Sequence, residues 1–357
     1  MFTWVIAATL AVAAPAPTAA DATPPAQIMV LPAELQSRYQ AEVLSGHPSQ
    51  HARLERTVEF LFGEQGLGMT YRESATTTVA AAYATREANC LTFTLLFLAL
   101  AREAGLDATP QELVQTLSWR QSEGTLYRSN HVNAVVRIAG RQYSVDVGRD
   151  AVMSRFPPQP ISQARLYGHF YNNLGIAAME RMDLVAAKRD IDQAIALDPG
   201  YANHWSNAGV IAVRTGETEA AERDYVKALS LDPDNTNALF NMAGLAHRRG
   251  DAKREAEYRR RLARIQEKDP FHHFLLAVNH ERAGEYALAI RHYRKAIRLY
   301  GDEPRFHSAL ARAYLGAGDT RRAAKALARA QALSDGDTRA ADRSRLDNLR
   351  QLDNLRQ

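Results

Sequence analysis

The chain of 357 residues carries a single cysteine, Cys90, which excludes a disulfide framework within the chain. It has only one long apolar run, residues 4–14 near the N-terminus, and nothing approaches the roughly 18 to 20 residues that a membrane helix needs. No integral membrane segment is therefore expected in the mature chain. The formal net charge is +4, but no block of Lys and Arg is interleaved with aromatics, which argues against nucleic acid as a partner. His272, His273 and His280 lack a carboxylate or thiol set at ligand spacing, so no metal is expected. "GEQGLG" at 63–68 lacks the strand-to-helix setting of a phosphate loop, and no cofactor is implied.

What is present begins with "MFTWVIAATLAVAAPAPTAA", an apolar core from Trp4 to Ala14 followed by small residues, without a preceding Lys or Arg. It reads as a signal peptide over 1–20 cleaved after Ala20, which implies a periplasmic or secreted protein. In an oxidising compartment an unpaired thiol is either sequestered as a small core hydrophobe or put to use. The Pro-rich "RFPPQP" then separates a mixed α and β region, 21–154, from a repetitive one, with 155–167 expected as a linker. The two regions are expected to fold independently.

The repetitive region has a period of 34 residues, marked by Met182-Asp183, Gly216-Glu217, Gly250-Asp251, Gly284-Glu285 and Gly318-Asp319. Small residues recur at Ala187, Ala221, Ala256, Ala289 and Ala323, and again at Ala194, Ala228, Ala263, Ala296 and Ala330, where paired helices approach closely. Tyr171, Trp205, Ile191, Tyr225, Tyr293 and Leu327 supply the bulky complements. This pattern resembles the tetratricopeptide repeat, in five copies over 168–333. In the third copy the small positions fall one residue late and Arg260 replaces a bulky residue, so an irregular second helix is expected there. Residues 334–357 are expected to form a capping helix or tail.

In the first region Pro32 to Ser45, Gln50 to Glu64 and Thr76 to Thr85 read as helices. "ANCLTFTLLFLALAREAG" follows, with Asn89 as N-cap, Cys90 at the first helical position and Gly105 at the end. Its apolar residues surround nearly the whole circumference, so the helix should be buried on most sides. A thiol at such an N-terminus meets the positive end of the helix dipole, which favours the thiolate. "NHVNAVVRIAGRQYSVDVG" then alternates about an Ala139-Gly140 turn and reads as a β-hairpin. With a two-residue loop, Asn133 lies opposite Asp146 and His131 is its diagonal neighbour on the same face. Cys90, His131 and Asp146 then supply nucleophile, base and base-orienting carboxylate. The bland alternative leaves His131 and Asp146 on a solvated sheet face.

These residues resemble the transglutaminase-like superfamily, a papain-like fold in which a Cys begins a core helix and His and Asp follow on adjacent strands. Cys90, "HVN" at 131–133 and "VDVG" with Asp146 match its order and spacing, and Arg102, Gly105 and Ala108 match its helix-ending turn. The resemblance spans roughly residues 70–150. Leu91 and Asn133 stand where many members carry Trp, a departure that bears on the oxyanion environment and the substrate. The resemblance implies an α+β papain-like domain ahead of an all-α solenoid. Its implied activity is cysteine acyl transfer, as a peptidase, amidase or cross-linking enzyme, with catalytic Cys90, His131 and Asp146. The repeats would hold a protein or peptide in their groove. The alternative is a non-enzymatic scaffold whose papain-like domain no longer catalyses.

Overall fold

A computed structural model describes residues 23–113, 116–117, 119–122, 125–128, 131–147 and 153–341. The expected signal peptide, 1–20, lies outside the described residues.

The first region opens with helix α1 (Ala33–Tyr39), which runs into a π-helical turn at Gln40–Leu44, and helix α2 (Gln50–Phe62) capped by Ser49. A two-residue strand β1 (Thr70–Tyr71), helix α3 (Val79–Thr85) and strand β2 (Glu87–Ala88) lead to helix α4 (Cys90–Glu103), β1 and β2 pairing in parallel. All side chains from Leu91 to Ala101 are buried, as the all-round apolar composition of α4 requires. The helix ends as the sequence predicts. Gly105 takes φ 63°, and its N–H and that of Leu106 donate to the carbonyls of Arg102 and Ala101, which closes a Schellman motif.

Seven strands follow: β3 (Asp107–Leu113), β4 (Thr116–Leu117), β5 (Trp119–Ser122), β6 (Thr125–Arg128), β7 (His131–Ile138), β8 (Arg141–Val145) and β9 (Met153–Ser154). A last short strand, β10 (Gln159–Pro160), joins β3, β7 and β8 in an antiparallel sheet of order β10-β3-β7-β8. The β7–β8 hairpin pairs Ile138 with Arg141 and Ala134 with Val145. Ala139 and Gly140 form its two-residue loop, with φ of 49° and 77°. Positive φ at both loop residues matches the right-handed twist of the strands and fixes the expected register.

Five antiparallel helix pairs complete the described residues. They are α5 (Gln163–Glu180) with α6 (Leu184–Leu197), α7 (Ala202–Arg214) with α8 (Thr218–Leu231), and α9 (Thr236–Arg248) with α10 (Ala252–Glu267). Two more follow, α11 (Pro270–Arg282) with α12 (Tyr286–Leu299) and α13 (Pro304–Gly316) with α14 (Thr320–Ala341). The 34-spaced row explains itself: Gly216, Gly250, Gly284 and Gly318 all turn the chain at φ between 71° and 83°. Met182 takes φ 63° at the same place in the first pair, where a side chain is strained. Within the pairs, a Cβ on Gly209 would stand 2.6 Å from the Tyr225 ring, so only glycine admits that helix contact.

Four expectations are corrected. The 155–167 segment is not a free linker, because Gln159–Pro160 extends the sheet and α5 is already helical from Gln163. Nor are the two regions separate units. Leu166, Phe170 and Tyr171 of α5 and Ala194 of α6 share one hydrophobic core with α4. Glu112 of β3 also receives the His169 ring at 3.2 Å and Arg165 at 3.4 Å, and Tyr300 donates to the Ser154 carbonyl at 3.2 Å. An apolar seam of this kind makes α5 a member of both regions. The third copy is regular as well. The helix keeps its phase, Glu255 and Leu262 occupy the small positions, and Ala256 and Ala263 face solvent. Glu255 is tolerated there because His247 and Arg259 hold its carboxylate at 2.9 and 2.7 Å. No separate capping helix forms within the described residues, since α14 continues unbroken through Ala341; residues 342–357 lie outside them.

Candidate active site

The site is assembled from one helix end and one hairpin. Asn89, extended at ψ −177°, accepts the Thr92 amide at 2.9 Å through its side-chain oxygen and so places Cys90 at the first helical position of α4. Its own amide nitrogen donates to the Thr76 hydroxyl at 2.6 Å and the Glu73 carbonyl at 3.2 Å, which locks the cap in place. Thr94 bonds back to the Cys90 carbonyl at 2.8 Å and across to the Val132 carbonyl at 3.3 Å, tying α4 to β7. Cys90 is a free thiol of intermediate exposure.

On the hairpin, His131 Nε2 meets both carboxylate oxygens of Asp146 at 2.8 Å, and the Asn133 side-chain amide donates to Asp146 at 3.1 Å. This face is not solvated, contrary to the bland alternative: His131 and Asn133 are each 3 % exposed. β7 is buried on both faces at this end, Val132 and Ala134 lying in the core shared with α4 and His131 and Asn133 turning to Asp146 on the other face. With Nε2 committed to Asp146, Nδ1 is the ring nitrogen left for another partner. Burial alone would depress the His131 pKa, but hydrogen bonds to Asp146 and to Cys90 outweigh it and push it up to about 10. His131 and Asp146 are thus brought together, with Cys90 among the groups that raise the His131 pKa.

Two neighbours gave no sequence signal. Tyr71 sits on β1, which pairs with β2 just ahead of Cys90. Partial desolvation of its half-exposed side chain, then the negative charge of Cys90, Glu73 and Asp146, pushes its hydroxyl up to about 12. Asn173 of α5 donates to the Thr76 hydroxyl at 3.4 Å, which carries a contact from the first repeat to the cap of α4. Neither has a local sequence pattern that marks it, because each acts through a partner remote in the chain.

A pH effect follows from His131. Its proton is held to about 10 in the folded protein against an ordinary 6.5, so the buried pair contributes stability in full below about pH 6.5. That contribution is lost as pH rises towards 10. Thermal melts between pH 6 and pH 10 are expected to show a falling melting temperature, with a shallower fall in His131→Gln; parallel slopes would contradict it.

Among known proteins, the family profiles of the tetratricopeptide repeat match residues 172–235, 207–270 and 282–343. The helix pairs are therefore tetratricopeptide repeats. The solved structure of MamA protein is 18 % identical and covers 48 % of this chain and 94 % of that one, with a TM-score of 0.27. MamA from Desulfovibrio magneticus RS-1 is 16 % identical over 48 % of this chain and 96 % of its own, with a TM-score of 0.27. YrrB, a tetratricopeptide repeat protein with an unusual peptide-binding site, is 18 % identical over 48 % and 86 % of the two chains, with a TM-score of 0.26. No curated protein matches the chain. Among the described residues no helix is long and apolar enough to cross a membrane, and no group of three or more His, Cys, Asp or Glu could hold a metal ion.

Proposed function

We propose that the first region is a transglutaminase-like acyl-transfer domain and that the repeats hold its protein or peptide substrate. The observation that supports it best is the buried His131–Asp146 pair at 2.8 Å beside a thiol seated on a helix N-terminus. In this reading the Cys90 thiolate attacks a carboxamide or peptide carbonyl, and the carbon–sulfur bond forms as the carbonyl π electrons move to oxygen. Imidazolium at His131 then gives its proton to the departing nitrogen as the carbon–nitrogen bond breaks, leaving a thioester. Water, activated by the now neutral ring, resolves the thioester to acid and free thiol; an amine in place of water gives a cross-link. Asp146 stabilises the imidazolium throughout, and Asn133 fixes the carboxylate.

A second reading, a binding scaffold with an inactive cysteine domain, is favoured by the fact that the family matches fall within the repeats alone. Intact-mass measurement separates the two. The full chain incubated with an N-acylated glutaminyl-glycine as acyl donor is expected to release ammonia and to carry a transient thioester at Cys90, both absent in Cys90→Ala. If a panel of carboxamide and peptide donors gives neither signal while the parent thiol remains alkylatable, the scaffold reading replaces the enzymatic one.

A further inference from the structure

The second helices of the repeats form the outer row of the solenoid, and their charge is unevenly shared. α12 contains no acidic residue, and neither does α14 from Thr320 to Leu333. Lys253, Arg260 and Arg264 on α10 are exposed, as are Arg291, Arg294 and Arg298 on α12. Arg321 and Lys325 extend the set onto α14. These positions correspond from copy to copy at the 34-residue period: Arg260 with Arg294, Arg264 with Arg298, and Arg291 with Lys325. Residues 291, 294 and 298 lie three and four apart, so they share one helix face, opposite buried Ala289, Tyr293 and Ala296. Among the described residues none of these eight cations has an ion pair, and the exposed acids on these helices are Glu257 and Glu267, the latter held by Lys295.

The same row looks different at the start of the solenoid. On α6 and α8 the corresponding positions hold Val185, Asp192, Ala196, Glu219, Val226 and Ser230, leaving as cations the exposed Arg223, and Arg189, which is paired to Asp190. Like charges spaced along neighbouring helices repel one another, so folding alone gives no reason to collect them there. A polyanionic partner does. Three features favour a lipid surface over other polyanions. The cations spread over three adjacent helices instead of lining a groove that would follow one strand of phosphates. No exposed aromatic lies among them to stack a base. The outer row of the first two repeats offers too little acid to make a second copy of this chain the complement.

We propose that the outer face of repeats three to five docks on a bilayer surface rich in anionic phospholipid head groups. Four to eight Lys and Arg on a surface are enough for such attachment, each contributing through the surface potential over about a Debye length. The inference is independent of Cys90 and its partners.

The test is flotation of the full chain with phosphatidylcholine vesicles, with and without roughly a third phosphatidylglycerol. At about 50 mM salt, the acidic vesicles are expected to bind at least tenfold more protein than the neutral ones, and about 0.5 M salt should abolish the difference. The R291Q/R294Q/R298Q/R321Q variant should lose partitioning by on the order of a hundredfold with unchanged helical circular dichroism, while R223Q/K227Q on α8 should bind like the parent. If that fourfold variant loses helicity, R291Q/R298Q takes its place with a tenfold loss expected. Equal binding to both vesicles, no binding at low salt, or full binding by the variants would overturn the proposal. So would salt-sensitive binding to heparin or duplex DNA by a chain that ignores acidic vesicles.

Discussion

Replacing His131 with alanine is expected to slow alkylation of Cys90 by iodoacetamide near neutral pH by about a hundredfold, the lower end of what a positioned acid–base partner supplies. The thiolate is the species that reacts, and His131 is the acid–base group proposed to serve the Cys90 thiol. The imidazolium charge is secure in the folded protein because Asp146 and Cys90 together hold the His131 proton to about 10. Asp146→Asn should act in the same direction with a smaller effect, since it keeps the ring in place and removes the carboxylate charge. Both variants leave Asn89 and the N-terminus of α4 untouched, so the contribution of the helix end is common to all three proteins. Rates measured against pH for parent and variants therefore isolate the imidazole. Superimposable profiles would remove the triad and leave Cys90 as a helix-capped thiol without a base.

Much of this site was readable because its determinants are local. Asn89 caps through the amide three residues on, and Ala139-Gly140 fixes a register that any two-residue loop would impose. Once that register is set, the parity of the strands decides that His131, Asn133 and Asp146 share a face. What sequence parity cannot tell is whether that face is wet. Alternation looks the same for a solvated face and for a buried one, and β7 is buried on both. Partners remote in the chain were equally hidden. Glu112 is an ordinary strand carboxylate until His169 and Arg165 arrive from α5, and they hold its pKa below the usual value against the opposing effect of burial.

The repeat phase shows the opposite case, in which residue type and helix phase disagree. Ala256 and Ala263 have the residue type expected at the small positions. The helix phase is set instead by the turn at Gly250, which keeps the 34-residue spacing, and places Glu255 and Leu262 on the inner face. The substitution is accommodated since α10 buries no side chain fully and its glutamate finds two cationic partners.

The seam between the two regions predicts the second large effect. Phe170, 1 % exposed, packs edge-on against Tyr171 with ring centroids 5.4 Å apart, inside the core that α4 dominates. Truncating it to alanine removes a large ring from a site whose walls belong to both the sheet domain and the first repeat, so neither can collapse inward without dragging the other. A cost of about 3 to 5 kcal/mol is expected, a melting temperature lower by roughly 10 °C. The more telling result is where the loss spreads. Hydrogen exchange followed by mass spectrometry should show peptides from β7 and β8 losing protection together with those from α5 and α6, because they draw on one core. For the same reason a fragment starting at Ile161 should lose its first repeat, with Leu166, Phe170 and Tyr171 uncovered. Unchanged protection of β7 and β8 in Phe170→Ala, or a fragment with all five pairs protected, would restore the picture of two units joined by a linker.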